Sequence, residues 1–193
     1  MKRTALFFGS FNPIHHGHLN VARAAIETGK IKEVIFIVSP QNPCKRDVDL
    51  LPEQQRLDLV SSVISGEEQM TFSDVEFQLS RPNYTINTLR HLDVSPDSNT
   101  HTLLMGADIF VQMKNWEGAA EMLSNYLMIY PRLGWQLPEK SDKITLLDSP
   151  MISISATMIR QKVERQEEIN HLVPEQVAAF FYETHLKLSL IHI

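Results

Sequence analysis

The sequence predicts an α/β fold: a doubly wound parallel sheet with helices on both faces. Three observations carry that expectation. Short runs are apolar at consecutive positions, helix-period segments lie between them, and glycine or proline closes several runs at their carboxyl ends. The chain has 193 residues, the size of one domain, and at that length about 70% of the unfolded surface can be buried without a disulfide or metal staple.

The first run, Thr4-Ala5-Leu6-Phe7-Phe8, reads as a strand buried on both faces and ends at Gly9. Gly17 to Thr28 then places Leu19, Val21, Ala22, Ala25 and Ile26 at helical spacing, with Gly29 as a C-terminal cap. Val34-Ile35-Phe36-Ile37-Val38, stopped by Ser39-Pro40, is a second doubly buried strand, so the opening is a βαβ unit. Residues 41–52 are polar and proline-marked, an exposed loop. Glu53 to Ile64 reads as a helix and Met70 to Phe77 as a strand; Thr85 is placed to cap a helix through His91. Thr102 to Met105, closed by Gly106, is another buried strand. A helix from about Trp116 to Leu123, a strand from Tyr126 to Tyr130 and a last strand from Ile144 to Leu147 follow. Two helices finish the pattern, Ala156 to Glu164 and Pro174 to about His185, while 189–193 carry no usable pattern. In such folds ligands sit beyond the carboxyl ends of the strands. The loops after Phe8, Val38, Met105 and Leu147 are therefore the places to look for a site.

Composition narrows the function classes. With 18 Lys+Arg against 23 Asp+Glu, net charge −5 and no basic run, the chain lacks the electrostatic footprint of a nucleic-acid binder. No stretch approaches the roughly 18 apolar residues of a membrane span, and no cleavable leader is expected after Lys2-Arg3. The single cysteine, Cys44, cannot pair within the chain, so a reducing, cytoplasmic setting is expected. Small-molecule partners are expected. Oligomeric state stays open, a homo-oligomer included.

The loop after the first strand, Gly9-Ser10-Phe11-Asn12-Pro13-Ile14-His15-His16-Gly17-His18, packs three histidines into four positions. Gly17 allows close backbone approach, and the helix start that follows offers unpaired N–H groups to an anion. Imidazoles donate hydrogen bonds to phosphate oxygens, and His15 and His18, one turn apart, can face the same phosphate. A zinc site built on these histidines would want further ligands nearby, and the only cysteine is distant in sequence.

The His15-x-Gly17-His18 spacing after a first strand resembles the signature of the nucleotidyltransferase superfamily, whose members transfer adenylyl or cytidylyl groups. A second segment, Ile154-Ser155-Ala156-Thr157-Met158-Ile159-Arg160, resembles that superfamily's Ile-Ser-x-Thr-x-x-Arg motif, which binds a nucleoside triphosphate at a helix N-terminus. The physics of a capping hydroxyl and a planar cationic fork agrees with it. Within the superfamily the chain resembles the bacterial nicotinate-nucleotide adenylyltransferases from Leu6 to about His185. The segment Pro40 to Lys45 is similar to their proline-rich loop, and Pro82-Asn83-Tyr84-Thr85-Ile86-Asn87-Thr88-Leu89 to their Tyr-Thr-x-x-Thr-Leu segment. Gly106-Ala107-Asp108 is similar to their Gly-x-Asp, and Trp116 falls where they keep an aromatic residue over the pyridine ring.

The resemblance implies a Rossmann-like fold of nucleotidyltransferase type, with 1–193 as one such domain and a helical C-terminal part from about 155. It implies transfer of the adenylyl group of ATP to nicotinate mononucleotide, giving deamido-NAD and pyrophosphate in NAD biosynthesis, with Mg2+ accompanying ATP. His15 and His18 would be catalytic. Gly9, Ser10, Phe11, His15, His18, Gly106, Asp108, Ser155, Thr157 and Arg160 would hold ATP. Lys45, Tyr84, Thr85 and Trp116 would hold the acceptor, with no protein metal ligands. Stacking of an indole on a pyridinium ring contributes about 0.5 to 2 kcal/mol. Two departures stand out: Phe8 replaces a usual glycine, so its ring is expected to point away from the nucleotide, and Asn12 replaces aspartate while keeping an Asx-type turn. The rival readings are adenylyl transfer to nicotinamide mononucleotide or phosphopantetheine, a nucleotide-binding module without turnover, and a zinc-dependent hydrolase.

Overall fold

The computed structural model describes residues 2–41, 50–94, 99–149 and 152–191, with side chains as far as 184. In chain order these form β1 (Arg3–Gly9), α1 (His16–Glu27), β2 (Ile31–Val38), α2 (Glu53–Ile64), β3 (Met70–Ser73), a 3-10 turn (Val75–Gln78) and α3 (Thr85–His91). There follow β4 (His101–Gly106), α4 (Ala107–Met113), α5 (Ala119–Leu123), β5 (Tyr126–Tyr130), β6 (Ile144–Leu146), α6 (Ala156–Glu164) and α7 (Glu175–Ile191). The six strands make one sheet in the order β3-β2-β1-β4-β5-β6, and every pairing is parallel.

The period-2 geometry of a strand sorts the apolar runs onto two faces. Ala5 and Phe7 of β1, Phe36 of β2 and Met128 of β5 join a core with α1, α2, α6 and α7. Leu6 of β1, Ile37 of β2, Leu103 and Met105 of β4 and Ile129 of β5 join a second core with α3, α4 and α5. This is why the strands read as continuously apolar. Strand β1 pairs with both β2 and β4, so the winding reverses there and a crevice opens beyond the carboxyl ends of these strands.

Several boundaries differ from the sequence expectation. The strand expected over Met70 to Phe77 stops at Ser73, where the Ser73 hydroxyl accepts from the Val75 N–H and the chain turns into the 3-10 segment. The helix expected from Trp116 begins only at Ala119, because Gly118 sits at φ +71 and breaks the run. Helix α4 was not expected at all: Gly106 passes directly from β4 into it. Thr85 is the first residue of α3, and the cap position belongs to Tyr84. Helix α7 continues to Ile191, through the start of the segment that carried no pattern. Among the described residues no helix is long and apolar enough to cross a membrane.

Candidate active site

The β1–α1 loop is held in place from several sides. Phe11 adopts φ +43 and buries its ring edge-on against Phe7 and His18, with centroids 5.7 and 5.0 Å away. The Asn12 side chain does more than shape a local turn: Oδ1 accepts from the Leu51 N–H at 3.0 Å, while its carbonyl accepts from Arg160 Nη1 at 2.8 Å. The loop is thus tied to the approach to α2 and to α6. Arg56 of α2, 1% exposed, donates to four carbonyls: Leu51 at 2.9 Å, Ser10 at 2.6 Å, Ser39 at 2.7 Å and Pro40 at 2.8 Å. One planar guanidinium therefore ties the loop after β1 to the loop after β2.

His15 and His18 come together as the spacing predicts, stacked with centroids 3.7 Å apart and planes at 21°. The His15 N–H donates to His18 Nδ1 at 3.2 Å. That bond assigns the hydrogen of a neutral His18 to Nε2. His15 is pushed down to about pKa 3, first by burial and then by the charges of Arg132 and His16. It is a neutral imidazole throughout the physiological range. Gly17 serves packing: a Cβ there would lie 2.7 Å from Ile152 Cγ2 and 3.0 Å from the His15 ring. The room it leaves is taken by the protein's own side chains.

Two cavities lie side by side beyond the strand ends. The more polar one, about 330 Å³, is lined by Gly9, Ser10, Phe11, His15 and His18 on one side and by Asp108, Ser155, Thr157 and Arg160 on the other. All the residues expected to hold ATP line it except Gly106, which lines the second cavity. Ser155 is the N-cap of α6, its hydroxyl accepting from the Met158 N–H at 3.2 Å. The hydroxyl of Thr157 accepts from Arg160 Nη2 at 3.3 Å. Asp108 Oδ1 is buried without a hydrogen bond, 3.7 Å from Arg132 Nε, which suits it to accept from a ligand hydroxyl. Among the described residues no group of three or more His, Cys, Asp or Glu side chains is placed to hold a metal ion, and Asp108 is the one carboxylate on this cavity's wall.

The second cavity, about 250 Å³, is mostly apolar and lined by Tyr84, Thr85 and Trp116 together with Ser39, Asn83 and Met105. Phe7, Phe8, Gly9, Ile109 and Tyr130 lie on both cavities and form their common wall. The expectation that Phe8 points away from the site is therefore corrected. Alternation along β1 puts it on the Leu6 face at the strand's carboxyl end, where the cavities meet. Lys45, the remaining expected acceptor residue, lies outside the described residues.

Arg56, Tyr130 and Arg132 were missed by sequence reasoning. Arg132 stands in a polar loop after β5 with no motif around it, and only the β4–β5 pairing brings it to Asp108. Tyr130, at the end of a plain apolar strand, has its phenol pushed up to about 12 by burial.

Residues 6–162 match the model of a family described as "Cytidylyltransferase-like". The chain belongs to the cytidylyltransferase-like family. Among its relatives in that family, a Cytophaga hutchinsonii protein named "Probable nicotinate-nucleotide adenylyltransferase" is 37% identical over 183 residues, which are 91% of this chain and 93% of the relative. A Bacteroides fragilis protein of the same name is 36% identical over 174 residues, 89% of this chain and 87% of the relative. Among solved structures, "Plasmodium falciparum nicotinic acid mononucleotide adenylyltransferase complexed with NaAD" superposes with a TM-score of 0.75 at 19% identity, over 96% of this chain and 97% of that one. The cytidylyltransferase-like fold is thus shared along nearly the whole length.

Proposed function

We propose that this chain transfers the adenylyl group of ATP to nicotinate mononucleotide, forming deamido-NAD and releasing pyrophosphate. The observation that carries the reading is the pair of adjoining cavities, one bearing stacked histidines and two arginines, the other apolar with an indole on its wall. The names of the relatives above agree with it.

The phosphate of the acceptor attacks the α-phosphorus of ATP in line, so no side-chain nucleophile is needed. Catalysis is positioning together with stabilisation of charge on the transferring and leaving phosphates. His18 Nε2–H donates to the transferring phosphate, and neutral His15 supports it from behind. The cap of α6 with Thr157, Arg160 and Arg132 receives the triphosphate. Asp108 accepts from ribose hydroxyls, and Trp116 stacks on the pyridinium ring beside the Tyr84-Thr85 turn. Lys45 belongs to the acceptor side. A Mg2+ ion accompanying ATP would offset phosphate charge, held chiefly by phosphate and water oxygens and approached by Asp108 alone among the described carboxylates.

The test is pyrophosphate release with ATP and Mg2+, comparing nicotinate mononucleotide, nicotinamide mononucleotide and phosphopantetheine at equal concentration. A clear preference for the first supports the reading. Preference for either of the others keeps the transferase and removes the assignment of Trp116 and Tyr84-Thr85. Silence with all three points to a binding module.

A further inference from the structure

Joining a molecule in one cavity to a molecule in the other requires the reacting phosphates to meet at the wall the cavities share. Five residues lie on both: Phe7, Phe8, Gly9, Ile109 and Tyr130. Three of them are apolar side chains and one is glycine. Tyr130 is therefore the one residue of the shared wall whose side chain can form a hydrogen bond. His15, His18, Thr157 and Arg160 line the polar cavity alone.

The ring is fixed and its hydroxyl end is placed at the junction. Tyr130 ends β5, in register with Gly106 at the end of β4. Its ring stands edge-on to Phe7, with centroids 6.2 Å apart and planes at 82°. A Cβ at Gly106 would lie 3.1 Å from Tyr130 Cζ, the carbon that bears the hydroxyl, and against Asp108 Oδ1 and Arg132 Cγ. The phenol thus emerges between Gly106 of the apolar cavity and Asp108 and Arg132 of the polar one. No hydrogen bond to another described residue occupies its hydroxyl. Burial keeps the phenol protonated, with its pKa pushed up to about 12, so at neutral pH it is a donor that carries no charge of its own.

We propose that Tyr130 is a catalytic residue of the transfer, its phenol O–H donating to a non-bridging oxygen of the α-phosphate where the two substrates join. This rests on the adenylyl-transfer reading above and adds a donor to it. An oxygen of the acceptor phosphate forms the new bond to the α-phosphorus, and the bond to the β-phosphate oxygen breaks and leaves with pyrophosphate. The phenol keeps its proton throughout and stabilises the charge that gathers on the α-phosphate oxygens.

The experiment uses the full chain and Tyr130→Phe, which retains the ring and its contact with Phe7 and removes only the hydroxyl. With ATP, Mg2+ and nicotinate mononucleotide, kcat is expected to fall about tenfold to a hundredfold, the loss of one donor to a charged group. KM for either substrate should stay within about twofold. The same comparison is made with each diastereomer of the α-thio analogue of ATP, in which sulfur, a weak acceptor, replaces one non-bridging oxygen. For one diastereomer wild type and variant should turn over at nearly equal rates, which a merely structural role of the hydroxyl would not produce. An unchanged kcat, a loss confined to KM, or the same ratio of wild type to variant with ATP and both analogues overturns the proposal. Absence of wild-type pyrophosphate release would instead refute the transfer reading and this assignment with it, so the two failures are distinguishable.

Discussion

Burial sets the two stacked rings of His15 and His18 apart: one is dry and neutral, the other half-buried and fixed in tautomer by a backbone N–H. His18→Ala should therefore lower kcat by about a hundredfold to a thousandfold, the size of losing one preorganised donor to transition-state charge, with little change in KM for ATP. Steady-state kinetics on pyrophosphate release checks this, and an unchanged kcat would remove His18 from that role. These two residues were legible in the sequence because their chemistry is local, three positions apart on one helical turn. Arg160 was legible for its charge but not for its bond to the Asn12 carbonyl, 148 positions away. Arg132 and Tyr130 carry no local signal, since strand pairing alone delivers them to the cavities.

At the scale of elements, Arg56 joins α2 to the loops after β1 and β2 through four carbonyls. Lysine cannot reproduce that planar fork. Arg56→Lys should cost about 2 to 4 kcal/mol in urea unfolding, from buried carbonyls left short of donors, and raise KM for both substrates as Ser10 and Ser39 relax. A variant as stable as wild type would mean that water replaces the missing donors. The strands were legible because burial on both faces leaves an unbroken apolar run, as in Val34 to Val38. Helix α4 was not, because β4 enters it at Gly106 without the polar turn that usually marks such a junction. The 3-10 turn was hidden for a related reason: its buried side chain is Glu76, so apolar patterning could not reveal it.

For the whole molecule, the buried histidine links stability to pH. The folded state holds His15 near pKa 3 against 6.5 for an ordinary histidine, so between those values the unfolded chain binds the proton that the folded one refuses. Stability therefore falls as pH drops below about 6.5, by about 2 kcal/mol from this residue at pH 5. Glu76 has the opposite sign: its raised value gives a contribution fully present below the ordinary carboxylate range and lost as pH rises through the folded value. Denaturant midpoints at pH 7 and 5 for wild type and His15→Gln isolate the histidine part, which should be absent in the variant. Equal pH dependence in both would show that His15 is accessible to protons when folded. The wall shared by the two cavities, with Phe8 at the carboxyl end of β1 and Ile109 and Tyr130 beside it, has a consequence for inhibition. A single compound tethering a purine head to an aromatic acid across that wall gains from effective concentration, its second half binding as though already present at millimolar level. Linker length, more than the affinity of either half, then sets its potency.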